Sequence, residues 1–181
     1  MEGTQTGKFF TDLACRLTGK SRGGPAKVAV VSSAFFGSIS GVAAANVYAT
    51  GTFTIPMMKR LGYRPQFAGA VEAVASSGGQ YMPPIMGAGA FVMSEITGIP
   101  YLDICVAAAL PAIAYYTSLA IRVHFIAVRD ALKGMKEEDM MVPLPTIIKD
   151  SYLLIPLFGL MGLLIAGFSV CPKPGVAFYV P

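Results

Sequence analysis

The amino-acid sequence predicts an all-α membrane protein: a re-entrant helical hairpin, a broken transmembrane helix and two plain transmembrane helices. Three observations carry this expectation. Apolar residues make up 54% of the 181 positions and charged residues only 13%, well away from the balance of soluble globular domains. The excess lies in four long runs, Val28–Met58, Phe67–Ile99, Leu102–Phe125 and Tyr152–Val170, for which a bilayer is the natural solvent. The first two runs are interrupted near their middles by helix breakers, and the basic residues between the runs fall on one side.

The chain divides as follows. Residues 1–27 form a cytoplasmic-side lead-in with Lys8, Arg16, Lys20, Arg22 and Lys27, and they lack the apolar core of a cleavable signal. Residues 28–63 form the re-entrant hairpin, interrupted in SSAFFGSISG. Residues 64–99 form the broken transmembrane helix, interrupted in SSGGQYMPP, where glycine and proline end helices. The eleven residues Val28–Ser38 before the first break, and the eleven Gln66–Ser76 before the second, would each cross about half of a ~30 Å hydrocarbon core. Both breaks are therefore expected near the midplane. Residues 100–125 and 151–171 read as plain transmembrane helices. Between them, 126–150 forms an amphipathic cytoplasmic linker or arm with KGMKEED in its middle, and 172–181 reads as a truncated tail.

Charge bookkeeping decides between a hairpin that returns and a segment that crosses. With Val28–Met58 re-entrant and Phe67–Ile99 crossing, every one of the 14 basic residues except Lys173 lies on the inner face. With Val28–Met58 crossing instead, the later loops invert and the split becomes nearly even. The positive-inside rule selects the hairpin. The outer turn then carries Glu95 and Asp103 and no basic residue, as that orientation requires.

Non-helical backbone at membrane depth persists only where it is buried in protein or lines a cavity. Two breaks at one depth should therefore face each other. The first supplies Ser38, Ser40, Gly41 and, shortly after, Asn46; the second supplies Ser76, Ser77, Gly78, Gly79 and Gln80 ahead of Pro83 and Pro84. Hydroxyls, amides and freed carbonyls are uncharged oxygen ligands that suit an alkali cation, and exposed helix N-termini suit an anion. The candidate sodium ligands are Ser38, Ser40, Gly41, Asn46, Ser77, Gly78 and Gly79. Ser40, Asn46, Gln80 and Pro83 are the candidate contacts for a substrate. Small residues also simply permit close helix packing, and that alternative stands beside the first.

Glu72 is the one carboxylate within a predicted span. Its nearness to Arg64 favours snorkelling or pairing at the interface over an intramembrane role. His124, beside Arg122, reads as an interface residue. Cys15, Cys105 and Cys171 are far apart and fit neither a zinc site nor a redox pair. The net charge of +4 has no continuous basic face with interleaved aromatics, so nucleic acid is not an expected partner. No phosphate-cradling loop, nucleophile elbow or metal-spaced histidine cluster is present. An enzyme is not expected.

The runs GSISGVAAANVYATGTFTIPMMKRLGY, FAGAVEAVASSGGQYMPPIMGAGAFVMSEITGIPY and AAALPAIAYY resemble the large membrane subunit of tripartite ATP-independent periplasmic (TRAP) transporters. They are most similar to the fused permease that works with TAXI-type binding proteins. The resemblance covers roughly Val28–Leu164 and implies half of an inverted-repeat elevator carrier, with sodium held between hairpin tip and helix break. It places that tip at Ser38, Ser40, Gly41 and Asn46, and the broken helix at Ser77, Gly78, Gly79 and Pro83. It further implies a bacterial inner-membrane, multi-pass permease that takes up an organic acid such as a C4-dicarboxylate by sodium symport. The acid would be delivered by a periplasmic TAXI-type substrate-binding protein. The small-subunit helices and the second repeat are missing from these residues, so this chain alone is not expected to transport. The rival readings are a re-entrant-loop ion channel and a non-transporting structural membrane subunit.

Overall fold

The computed structural model describes residues 5–132 together with 134, 135, 159 and 162. The expected span at 151–171, apart from two isolated positions, and the tail at 172–181 lie outside the described residues, as does most of the arm at 126–150. Among the described residues the chain is all helical: α1 (Gln5–Thr18), α2 (Gly24–Ser40), α3 (Ala43–Arg60), α4 (Pro65–Gly78), a 3-10 turn (Gly79–Tyr81), α5 (Ala88–Thr97) and α6 (Tyr101–Arg129).

Glycine and proline set the boundaries. Gly23, at φ 75°, precedes α2, and Pro25 sits in its first turn, where a missing N–H costs nothing. Gly41, at φ 60°, ends α2 and donates its N–H to the Gly37 carbonyl. Two residues, Gly41 and Val42, then suffice to reverse the chain into α3. Pro65 opens α4, and Pro83 and Pro84 prevent the helix from resuming before Ala88.

Helices α2 and α3 pack as an antiparallel hairpin, with the start of α2 against the end of α3: Ala26, Ala29 and Val30 share a core with Met58. Helix α4 lies across both, and Tyr116 and Val123 of α6 close the same core. Alanines dominate this centre, and small side chains let helix backbones approach closely where lipid supplies no hydrophobic drive for association.

Three findings refine the sequence reading. The N-terminal segment is not featureless: α1 buries Phe9 and Phe10, which pack on Phe35, Phe36 and Ile39 of α2. Helix α2 starts four residues before Val28 and runs unbroken through Gly37 and Ser38 for 17 residues, about 25 Å. The hairpin arm is thus longer than the eleven residues expected, because within SSAFFGSISG only Gly41 adopts the left-handed conformation. Finally, α6 is the one described helix long and apolar enough to cross a membrane, at 29 residues with a mean hydropathy of 1.8. It presents Val106, Leu110, Ile113, Ile121 and Phe125 outward, an apolar face wide enough to need covering.

Outside the spans, burial pushes the Tyr63 hydroxyl up to about 12, with the Asp130 charge adding to it. Burial also pushes the Cys15 thiol up to about 12. Tyr63 keeps its proton in the fold over a range where the unfolded chain loses it. Its contribution to stability is thus full below the unfolded value of 10.0 and falls as pH rises toward 12. Absorbance titration should show tyrosinate formation at Tyr63 only near the upper end of that range, and Tyr63→Phe should reduce the late phase by one tyrosine.

Two glycine substitutions separate packing from propensity. A Cβ at Gly37 would lie 2.4 Å from the Gly79 Cα, whereas one at Gly89 meets nothing within 4 Å. Gly37→Ala should destabilise the purified chain by about 1–3 kcal/mol. Gly89→Ala should be neutral or stabilising by up to about 1 kcal/mol. Thermal unfolding in detergent measures both.

Candidate functional site

The two breaks touch through bare backbone. The Cβ positions of Gly37 and Gly79 fall 2.4 and 2.7 Å from the other residue's Cα, so no side chain fits between α2 and the end of α4. The fully buried Asn46 amide from α3 lies beside this crossing. Its Nδ2 donates to the Ser33 carbonyl at 2.9 Å and, more weakly, to the Ser76 carbonyl at 3.5 Å. A single side chain therefore ties α2 and α4 to α3.

Above the crossing, the hairpin tip meets the loop that follows the 3-10 turn. The Ile85 N–H donates to the Ser38 carbonyl at 3.2 Å, and the Gly87 N–H donates to the Gln80 carbonyl at 2.8 Å. A Cβ at Gly41 would sit 1.8 Å from the Met86 carbonyl oxygen, and Met86 itself takes φ 58°. Tyr101 of α6 braces the loop from behind, its hydroxyl donating to the Pro84 and Ile85 carbonyls and its ring stacking on Phe91 at 4.6 Å.

The expected ligands divide by position. Asn46 and Gly79 meet at the crossing, and Ser38 and Gly41 meet the loop at Ile85 and Met86 above it. Among the described residues the buried Ser40 Oγ has no hydrogen-bond partner, an arrangement that is costly in a dry interior unless a ligand meets it. The Ser38 hydroxyl donates to its own helix, to the Phe35 carbonyl at 2.7 Å, which leaves its carbonyl as the group facing the second break. Ser77 is not at the crossing: it is exposed on the outer face of α4, where its hydroxyl donates to the Ala73 carbonyl at 2.8 Å. Gly78 serves packing, since a Cβ there would lie 2.4 Å from the Tyr115 ring. The Gln80 side chain is exposed and Pro83 is half-buried in the loop. No cluster of three or more His, Cys, Asp or Glu occurs among the described residues; the polar groups named at the tip and crossing are backbone, amide and hydroxyl groups.

Glu72 overturns the expectation of a snorkelling or interface-paired carboxylate. It is fully buried and points into the contact between α2, α3 and α4. Four fully buried hydroxyls surround it. Ser33 lies 3.3 Å and Ser76 3.4 Å from Oε1, Thr50 also bonds Oε1, and Thr54 bonds Oε2. Gly51 makes the room, because a Cβ there would come within 3.0 Å of the Glu72 Cγ. The physical reason for the miss is rotational: two turns from Arg64 along α4 says nothing about which face the side chain occupies. The signal that could have found it is the spacing of Asn46, Thr50 and Thr54 on α3, which places three polar groups on one stripe of an otherwise apolar helix.

Removing one member of this group tests its structural weight. Thr54→Val keeps the shape but leaves Oε2 without its hydroxyl, and should cost about 1–3 kcal/mol in thermal unfolding. Thr52→Val, two positions from either threonine of the stripe and exposed, should change little.

Comparison with known proteins shows the family of the chain. The family model described as the DctM component of the tripartite ATP-independent periplasmic transporter matches residues 1–180. A protein of Sinorhizobium fredii described as uncharacterized protein y4mL is 33% identical over 129 residues, 71% of this chain and 30% of that protein. The isethionate TRAP transporter permease protein DctMQ of Oleidesulfovibrio alaskensis is 38% identical over 73 residues, 40% of this chain and 12% of that protein. The chain thus spans a third or less of the length of these relatives.

Proposed function

The chain belongs to the DctM component family of tripartite ATP-independent periplasmic transporters, a membrane permease component and not an enzyme, and from that premise we propose that it forms the first cation-binding half of a sodium-driven importer of an organic acid. The acid is a carboxylate, handed over by a periplasmic binding protein of the TAXI type. The hairpin α2–α3 is re-entrant, and α4 with α5 is the broken crossing helix. Small-subunit helices and a second repeat complete the transporter in the bacterial inner membrane.

The observation that carries this reading is the convergence of the two breaks on one polar spot, with the buried Ser40 hydroxyl unpartnered among the described residues. Non-helical backbone in a membrane requires a purpose that repays its unpaired groups. Ser40 and Gly41 belong to the tip, the Met86 carbonyl faces Gly41, and Asn46 sits at the crossing below; a small hard cation takes oxygens of this kind without demanding a fixed geometry. Sodium there supplies the positive charge that a substrate carboxylate meets, with Gln80 and Pro83 on the rim. The ion thereby acts as a condition for substrate binding, and loaded helices that share one tight crossing move as one body.

Sodium dependence of uptake tests the assignment in the complete transporter, reconstituted with its binding protein. Ser40→Ala and Asn46→Ala should each raise the sodium concentration for half-maximal uptake by tenfold or more, the loss of about 1.4 kcal/mol in ion binding. Ser77→Ala, on the outer face, should leave it unchanged. Equal sodium dependence in all three would refute the site, and conductance without a binding protein would show a channel instead.

A further inference from the structure

We propose that Glu72, Ser33, Thr50, Thr54 and Ser76 form a proton-binding site enclosed between α2, α3 and α4. Every group that touches the carboxylate is a neutral hydroxyl, and all five residues are fully buried. The charged residues of the surrounding helices sit elsewhere. On α2, Lys27 donates to the Ser21 hydroxyl. On α3, Lys59 and Arg60 occupy the last turn, exposed, and on the α4 side Arg64 is exposed ahead of the first turn. The Tyr115 and Tyr116 hydroxyls of α6 donate to the Val74 and Ala75 carbonyls. Lys8, Asp12 and Arg16 lie on α1, which reaches α3 at Ala49, where Gly7 packs. No ion pair to Glu72 occurs among the described residues, so a charged carboxylate there would lack a counter-charge in a dry interior.

The hydrogen-bond geometry accommodates a proton in particular. Thr50 Oγ1 can donate to the Asn46 carbonyl at 2.8 Å or to Glu72. Thr54 Oγ1 can donate to the Thr50 carbonyl at 3.1 Å or to Glu72. Each threonine has one hydrogen and two acceptors. When the carboxyl carries a proton, a threonine oxygen accepts a hydrogen bond from it and turns its own hydrogen to the backbone. When the proton leaves, the threonine turns back to the carboxylate. Both states keep every group bonded, and rotation of a hydroxyl is all that separates them. A sodium ion needs room among its ligands, whereas here the oxygens bond one another directly and Gly51 closes the stem side.

The site is distinct from the cation site at the tip, although its part in a transport cycle rests on the carrier reading. The test therefore has one arm that does not need transport. Infrared difference spectra of the full chain in lipid nanodiscs, wild type against Glu72→Gln, should show a protonated-carboxyl carbonyl band at neutral pH that the variant loses. Thr54→Val should shift that band rather than remove it, which serves also if Glu72→Gln does not fold. Carboxylate bands alone at neutral pH would overturn the proposal. So would disappearance of the band when choline chloride is replaced by sodium chloride in the Ser40→Ala variant, whose tip site is weakened, because sodium would then own the Glu72 site. In the complete transporter, uptake should vary with pH and Glu72→Gln should lose that variation. A variant with the wild-type pH profile overturns the coupling role. Uptake without sodium dependence, with the carboxyl band present, fails the carrier reading and leaves the proton site standing.

Discussion

The approach of Gly37 to Gly79 is the constraint on which the rest of the structure depends. Two helices cross with no side chain between them, so their freed carbonyls and hydroxyls come together in a space that a single methyl group would close. A crossing that tight leaves backbone acceptors without water. The Asn46 amide answers this by donating to carbonyls on both helices, and its own burial is repaid by those bonds. From the same contact follow the seat of Gly41 against the Met86 carbonyl and the bond from Ile85 to Ser38.

Polarity in these helices is arranged in reverse of a water-soluble bundle. Asn46, Thr50 and Thr54 face the centre of the packed helices, whereas Leu110, Ile113 and Phe125 of α6 face outward. Lipid rewards such an arrangement because apolar surface gains nothing by hiding from it, while polar groups must find partners inside. Helix α1 is the exception, with Phe9 and Phe10 inward and Lys8 and Arg16 exposed, the pattern of an amphipathic helix.

Much of this arrangement was legible in the sequence, for stated physical reasons. Helix-breaking glycines and prolines mark where α2 and α4 must end, and the cost of unpaired backbone in lipid requires the breaks to meet. Two things were not legible. Adjacent residues on a helix differ by about 100° in direction. Hence Ser76 joins the Glu72 group while Ser77 faces outward, although both lie in the same SSGG run. The role of Glu72 depended on a register between three helices, and composition around it carried no trace of that register beyond the polar stripe on α3. The packing of α1 through two phenylalanines was likewise a matter of tertiary fit, since its 14 residues are too few and too charged to register as an apolar run.

Asn46 stands between the two polar centres, and this position carries an electrostatic consequence. One face of its amide meets the crossing below the hairpin tip, while its carbonyl accepts from Thr50, a partner of Glu72. One helical turn separates Asn46 from Thr50, about 6 Å. A sodium ion at the tip would lie on the order of 10 Å from the Glu72 carboxyl in a poorly screened interior, where its attraction for the charged carboxylate, lost when a proton neutralises it, amounts to roughly 1–2 kcal/mol. An interaction of that size makes loading of one centre disfavour loading of the other by about tenfold. An anionic substrate at the tip would cancel part of it. The order in which cation, substrate and proton arrive is then set by charge spacing along a single side of α3, without any need for a moving part inside the packed helices.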